Sequence, residues 1–300
     1  MTEPLHDHDA LTRFLLPAAG VRGVRVHLDQ AWQQVRSRDD HGPAVTELLG
    51  EALAAAALFT GHAKVDGRLS VQLRGQGALR TLFAECTAAG TVRGIAQVEG
   101  EPPASRDLRR LGGDDALLAI TIENPSAPGR DPVRYQGLVG LEADSLAGAF
   151  EGYFRQSEQL PTRILLAADD SRAAGLLLQK LPGDEGDEDG WNRASLLFDT
   201  LSPGELLELP AATLLHRLFH EEGVQVLGGR ALRFGCSCSR ERVSSMLRSL
   251  GGEEARAAVL DGRAEVRCEF CGERYHFDPE EIEALLVQPE PTSDAPAGLQ

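Results

Sequence analysis

No apolar run in this 300-residue chain approaches the about 20 residues that a membrane-spanning helix needs, so the chain is not expected to cross a bilayer. The stretch from Met1 to Ala10 has neither a basic start nor an apolar segment of signal-peptide length, which makes the cytoplasm the expected location. Positive charge is also short: 30 Lys and Arg face 46 Asp and Glu, for a formal net charge of −16. Such a chain lacks the basic surface that displaces counterions from nucleic acid or anionic lipid, and sequence-independent binding to either is disfavoured. Enzyme signatures are missing. There is no serine-nucleophile motif, phosphate loop or histidine-carboxylate zinc motif. The segment Gly75-Gln76-Gly77-Ala78-Leu79-Arg80 opens like a dinucleotide fingerprint but has Arg80 where the third glycine belongs, and reads instead as a strand-to-helix turn. No residue is assigned a catalytic role. His6 and His8, which flank Asp7, read as part of a solvated terminus.

Cysteine is scarce, and the few are unevenly placed: of five, four fall between positions 236 and 271. In a reducing compartment that clustering points to metal binding or redox chemistry rather than a secreted disulfide framework. Cys86 stands apart in Leu82-Phe83-Ala84-Glu85-Cys86 and reads as a small buried hydrophobe.

With 42% hydrophobic residues the chain can bury a sizeable core, and its length predicts two folded units with connecting segments. Val24, Val26 and Leu28 alternate with Arg25 and His27, and Leu69, Val71 and Leu73 alternate with Ser70, Gln72 and Arg74, the period of half-buried strands. Between them Pro43 suits a first helical turn, and Leu48, Leu49, Ala52, Leu53 and Ala56 form an apolar stripe. Residues 116–122, 133–141 and 163–167 read as further strands and residues 144–156 as a helix. The expected architecture is α+β, with an α/β-type core of packed sheets and helices over residues 1–178. An acidic run, Asp184-Glu185-Gly186-Asp187-Glu188-Asp189-Gly190, then marks a loop within a linker spanning 179–231. Ser202, Pro203 and Glu205 start a short helix by a capping box, and Pro210 restarts one that Gly223 ends. Leu206, Leu207 and Leu209, then Leu214, Leu215, Leu218 and Phe219, give these helices apolar faces. Helices this short are marginal alone, so they must lean on a neighbour. A small cysteine domain over 232–287 and a disordered tail over 288–300 complete the chain.

The four cysteines stand as Cys236-Ser237-Cys238 and Cys268-Glu269-Phe270-Cys271, two close pairs held apart by residues 239–267. Each pair can supply two ligands from one tight turn, as tetrahedral Zn2+ requires. The intervening chain supports this: Ser239 caps a helix in which Val243, Met246, Leu247 and Leu250 recur at helical spacing, and Gly251 ends it. After the second pair, residues 274–277 read as a strand, and Asp278, Pro279 and Glu281 open a last helix through Val287. His276 could replace a thiolate, but the four-thiol set is complete without it. Four protein ligands leave no open position, which excludes a catalytic zinc. Two uses remain open. One is a constitutive zinc ribbon that binds nucleic acid or protein, with Arg240, Arg242, Arg263 and Arg267 available for phosphates; from residues 231–278 eight Arg balance eight Asp and Glu, so a local basic face is compatible with the acidic whole. The other is a redox switch, because zinc holds thiols as nucleophilic thiolates, Cys238 precedes a helix N-terminus, and in so small a module losing metal means losing fold.

Taken together, Cys236-Ser237-Cys238-Ser239-Arg240-Glu241-Arg242-Val243 with the second pair, Tyr153-Phe154-Arg155-Gln156-Ser157-Glu158-Gln159-Leu160-Pro161-Thr162 and Leu218-Phe219-His220-Glu221-Glu222 closely resemble the redox-regulated bacterial chaperones of the heat shock protein 33, or 33 kDa chaperonin, family. Val21-Arg22-Gly23, the glycine segment at 72–77 and Arg93-Gly94 extend the likeness nearly end to end. The resemblance implies an ATP-independent holdase with one Zn2+ per chain, inactive when reduced. It further implies oxidation to two disulfides, Cys236 with Cys238 and Cys268 with Cys271, followed by zinc release and unfolding of switch and linker. The active form is expected to be a homodimer that holds unfolded or partly folded client proteins. The apolar faces from Leu206 to Leu209 and from Leu214 to Phe219 are the candidate client surface. The acidic linker run departs from the family pattern and bears on client preference and linker stability.

Overall fold

The computed structural model describes residues 8–101, 104–113, 115–126, 131–183 and 187–287; His6, positions 184–186 of the acidic run and the tail from 288 lie outside the described residues. The chain forms two compact units, Met1–Gly235 and Cys236–Gln300.

In the first unit the elements follow as β1 (Ala10–Leu16), β2 (Val21–Leu28), α1 (Gln30–Arg36), α2 (Pro43–His62), β3 (Arg68–Arg74), β4 (Leu79–Thr87), β5 (Thr91–Val98), α3 (Leu108–Gly112), β6 (Leu117–Asn124), β7 (Val133–Val139), α4 (Leu146–Ser157), β8 (Thr162–Ala168), β9 (Ala173–Lys180), α5 (Gly190–Phe198), α6 (Pro203–Glu208), α7 (Ala211–Phe219), β10 (Gln225–Ala231) and β11 (Arg233–Phe234). They build a five-stranded sheet, β10-β1-β2-β9-β8, and a six-stranded sheet, β11-β5-β4-β3-β6-β7. Pairing is antiparallel throughout, except that β11 runs parallel to β5. The fold is therefore α+β.

Helix α2 lies between the two sheets. It begins with Pro43 in its first turn and is buried around nearly its whole circumference from Ala44 to Thr60, as a helix apolar on every side must be. It is long and apolar enough to satisfy the membrane-span criterion by length and composition, and here it is the core helix, 78% buried over that window. Val24, Val26 and Leu28 of β2 meet it from one sheet, and Leu69, Val71, Leu73, Leu82 and Ala84 from the other. Phe59 crosses Phe150 and Phe154 of α4 edge-on at 4.8 and 5.3 Å between ring centres.

The opposite face of the five-stranded sheet carries a second core. Phe14, Leu16, Val21, Ala174, Leu176 and Leu178 point there and are covered by α5, α6 and α7 through Ala194, Phe198, Leu206, Leu207, Leu214, Leu215, Leu218 and Phe219. β2 is thus buried on both faces, where its alternation predicts only one. Arg25 and His27 are 2% and 4% exposed.

Several boundaries shift for local physical reasons. α4 starts at Leu146 rather than at 144, with Ser145 as its cap accepting the Gly148 N–H at 3.2 Å. The glycine segment at 75–77 joins two strands, β3 and β4, rather than a strand to a helix. Gln76 and Gly77 donate their N–H groups to the Gly112 carbonyl at 2.8 and 2.9 Å, and a Cβ on Gly75 would sit 2.4 Å from that oxygen, so glycine is required for the close approach. The predicted helical linker also contains β10, which pairs with β1.

The second unit comprises α8 (Arg240–Leu250), α9 (Gly252–Ala257), β12 (Val259–Leu260), β13 (Arg263–Arg267), β14 (Arg274–Phe277) and α10 (Pro279–Val287), with the strands in a single β12-β13-β14 sheet. Its core is small: Val243, Leu247, Ala255, Ala264, Phe277 and Ile282. Met246 and Leu250, predicted to share the buried stripe of α8, are 42% and 49% exposed.

Candidate metal centre

Two turns assemble the cysteine site. The first pair lies just before α8, whose cap Ser239 accepts the Arg242 N–H at 3.3 Å, while the Arg242 guanidinium reaches back to the Ser237 carbonyl and hydroxyl at 2.9 and 2.7 Å. Cys236 and Cys238 are thereby fixed at the positive end of a helix. The second pair occupies the turn of the β13–β14 hairpin. There Cys268 donates its N–H to the Glu273 carbonyl at 2.8 Å and accepts the Gly272 N–H at 2.8 Å, with Gly272 at φ +74°. That left-handed backbone favours glycine, which accounts for Gly272 after Cys271.

The four sulfurs of Cys236, Cys238, Cys268 and Cys271 all lie within 4.8 Å of one another, each half-buried. The pairs Cys236–Cys268 and Cys238–Cys271 approach to 3.6 and 3.2 Å. Tetrahedral zinc with sulfur ligands at about 2.3 Å places its sulfurs about 3.8 Å apart, so the donor set and its spacing fit one such ion. His276 is not part of the set. It faces away on β14, 3.5 Å from Glu265, while its neighbour Tyr275 turns inward.

Electrostatics single out one thiol. Burial raises the Cys238 thiol, but a hydrogen bond from the Tyr275 hydroxyl and bonds from Cys271, Cys236 and Cys268 outweigh it and bring Cys238 down to about 7. Burial raises Cys236 and Cys271, and their bonds to the other sulfurs raise them further, against the backbone N–H groups of Cys238 and Glu273. Donating to Cys238, together with burial, also raises Tyr275, which keeps its proton. The cluster therefore offers a thiolate, the metal-binding and nucleophilic form, at Cys238 first. Sequence reading missed Tyr275; its signal was the alternation with Phe277 on a strand beside the second pair.

Cys86 is a contrast. It is 1% exposed within the core of the first unit, and burial, partly offset by Thr60, pushes its thiol up to about 11. Alkylation at pH 8 after metal is stripped, with the second unit unfolded and the first still native, is expected to label four thiols per chain within minutes and the fifth only after full denaturation; labelling of Cys86 at the same rate as the other four would contradict this.

Among the arginines proposed for phosphate contact, Arg240 stacks over Phe277 at 4.2 Å and bonds the His276 carbonyl and Glu281 at 2.8 and 2.6 Å, and Arg242 is held by Ser237. Both are engaged within the second unit. The candidate client residues Leu206, Leu207, Leu214, Leu215, Leu218 and Phe219 are buried in the second core of the first unit, and Leu209 packs against its margin.

The chain is 43% identical to the 33 kDa chaperonin of Chromobacterium violaceum over 284 residues, covering 94% of this chain and 95% of the relative. It is 45% identical to that of Hahella chejuensis over 286 residues, covering 94% and 98%. The crystal structure of the 33 kDa chaperonin (heat shock protein 33 homolog) from Thermotoga maritima has the same fold, with a TM-score of 0.76 at 24% identity over 94% of this chain and 98% of that one. The family described as Hsp33 protein matches residues 9–278. A four-cysteine cluster able to hold a metal ion thus sits in a chain whose relatives are chaperonins, and the chain belongs to the Hsp33 family.

Proposed function

We propose that this chain is a redox-regulated, ATP-independent holdase of the cytoplasm, silent when reduced and activated by oxidation of its four clustered cysteines. The observation that carries the proposal is the gathering of four sulfurs from two turns within 4.8 Å in a unit with a core of six buried side chains. In this reading Cys236, Cys238, Cys268 and Cys271 hold one Zn2+, which when bound keeps the sulfurs as thiolates and ties the two turns together.

A zinc-held thiolate of this set is the site of attack by peroxide. Its sulfur gives up two electrons to the O–O bond, forming a sulfenic acid and hydroxide, which a proton from solvent turns to water. A neighbouring thiol then displaces the second oxygen as water and closes a disulfide, and a second peroxide oxidises the other pair in the same way. Pairing within each turn, Cys236 with Cys238 and Cys268 with Cys271, leaves the turns free to separate; pairing across them would cross-link the module shut. With the turns apart the small core cannot hold its fold.

In the proposed active form, residues 179–231 act as the metastable linker between the core and the switch over 232–287. Helices α6 and α7 leave the sheet, and their faces and the sheet's become the surface that holds unfolded clients, in a homodimer. The test follows zinc release, thiol content and suppression of aggregation of a thermally unfolding client together through warm peroxide treatment. The expected result is parallel loss of zinc, appearance of two disulfides and gain of activity, reversed by reductant and zinc. Equal activity before and after oxidation would overturn the proposal.

A further inference from the structure

The end of α6 presents a problem that β2 solves. The helix's C-cap, Leu209, is already extended, and the last carbonyls of a helix have no intrahelical partners. The Leu209 carbonyl is instead met by the Arg25 guanidinium at 2.6 Å, and the Leu207 carbonyl by Nε2 of His27 at 2.9 Å. A cation at the carbonyl end of a helix is also favoured by the helix dipole. Both donors stand on the linker-facing side of β2, where the contact is otherwise mostly apolar and Thr12, across from Arg25 on β1, is the other buried polar side chain of the sheet face. We propose that Arg25 and His27 form a polar latch that holds the α6–α7 joint on the sheet and sets how readily the linker releases, with His27 making that release sensitive to acid.

The chemistry makes the latch reversible. Two polar side chains buried by the docked helices regain water when the helices leave, so the docked state carries a desolvation cost that an all-apolar contact lacks. The groups facing His27 are Arg25 on its own strand, Asp29 at the strand's end and His8; its cross-strand partners Ala10 and Ala174 carry no charge, and Glu208 of α6 is exposed. Burial depresses His27 below its usual value, against the Leu207 carbonyl, which favours protonation; Arg25 and His8 depress it further and Asp29 opposes them. Docking therefore favours the neutral ring, its Nε2 donating to Leu207 and its Nδ1 buried with no partner. Released, it titrates near its ordinary value of about 6.5. The released state binds the proton more readily, so docking is strongest above that value and weakens as pH falls through it.

This inference rests on the proposed role of α6 and α7 as a releasable linker, and its test separates the two. Amide exchange of residues 203–219 is measured in the reduced, zinc-loaded full chain at pH 7.5 and 5.5, corrected for intrinsic rates. Arg25→Ala is expected to raise opening of this segment at least about tenfold, the factor for one lost hydrogen bond to a charged group, with exchange in α2 unchanged and zinc retained. Wild-type opening is expected to rise at the lower pH. His27→Gln, which keeps a donor for the Leu207 carbonyl but cannot titrate, is expected to match wild type at pH 7.5 and to lose the pH response. Equal loosening of α2 in Arg25→Ala, or a pH response that survives in His27→Gln, would overturn the latch. Failure of oxidised wild type to hold clients, with these exchange results intact, would instead overturn the proposed function.

Discussion

Replacing Cys268 by Ser is expected to unfold residues 236–287 in the full chain while the α2-centred core of the first unit stays native. The six buried side chains of the second unit cannot stabilise some fifty residues unaided; domains of this size commonly depend on a metal or a cross-link. Where a structural zinc is bound by cysteines, its binding free energy, on the order of 10–16 kcal/mol, is largely the folding free energy. Cys268 makes the turn that joins β13 to β14 and approaches Cys236 at 3.6 Å, so its loss takes away both a ligand and the tie between the two turns. Amide dispersion and exchange protection should vanish in α8, β13, β14 and α10, zinc content should fall well below one per chain, and the α2 amides should remain protected. A strong chelator should do the same to wild type, and added zinc should reverse it. A Cys268→Ser chain that keeps a protected second unit without metal would show that the small core suffices.

Features fixed by chemistry over a few residues were legible in the sequence. The cysteine spacing led to the four sulfurs now found together. Ser202 and Glu205 form the capping box in full, with the Glu205 N–H donating to the Ser202 hydroxyl at 3.3 Å and the Ser202 N–H to the Glu205 carboxylate at 3.1 Å. Asp278 and Glu281 repeat it at α10. What stayed hidden depends on distant partners. β9 is rich in Ala and Leu, which favour helix, yet it is a central strand buried on both faces and so shows no alternation. β10 carries Gly228 and Gly229, a poor strand signal, and exists because β1, some two hundred residues earlier, offers an edge. Burial of Arg25 and His27 could not be read from β2, because it is imposed by helices at the far end of the unit. The exposed Met246 and Leu250 are the reverse case: an apolar stripe that a small module lacks the mass to cover.

Phe219→Ala is expected to give a reduced, zinc-loaded protein that already exposes apolar surface and suppresses client aggregation without peroxide. Phe219 is fully buried, and its ring stacks on Phe14 of β1 at 6.2 Å between centres, joining α7 to the sheet at the middle of the second core. Truncating a buried Phe costs about 3–5 kcal/mol. Where that cost falls is decided by the weakest cooperative element. Helices α6 and α7 span six and nine residues, too short to persist alone, so they survive only while docked. The sheet beneath them is also held from its other face by α2 and the larger core, which the substitution does not touch. Local release of α6 and α7 is therefore the cheaper response than global unfolding. An apolar dye should bind the reduced variant, proteolysis should cut within 203–219, and zinc should remain at one per chain. Leu138→Ala, at a position 67% exposed on the edge strand β7, is the control and should change none of these readouts. If Phe219→Ala instead lowers the melting temperature of the first unit in a single transition and stays inactive until oxidised, α6 and α7 belong to one cooperative core with the sheet, and the switch must work without releasing them.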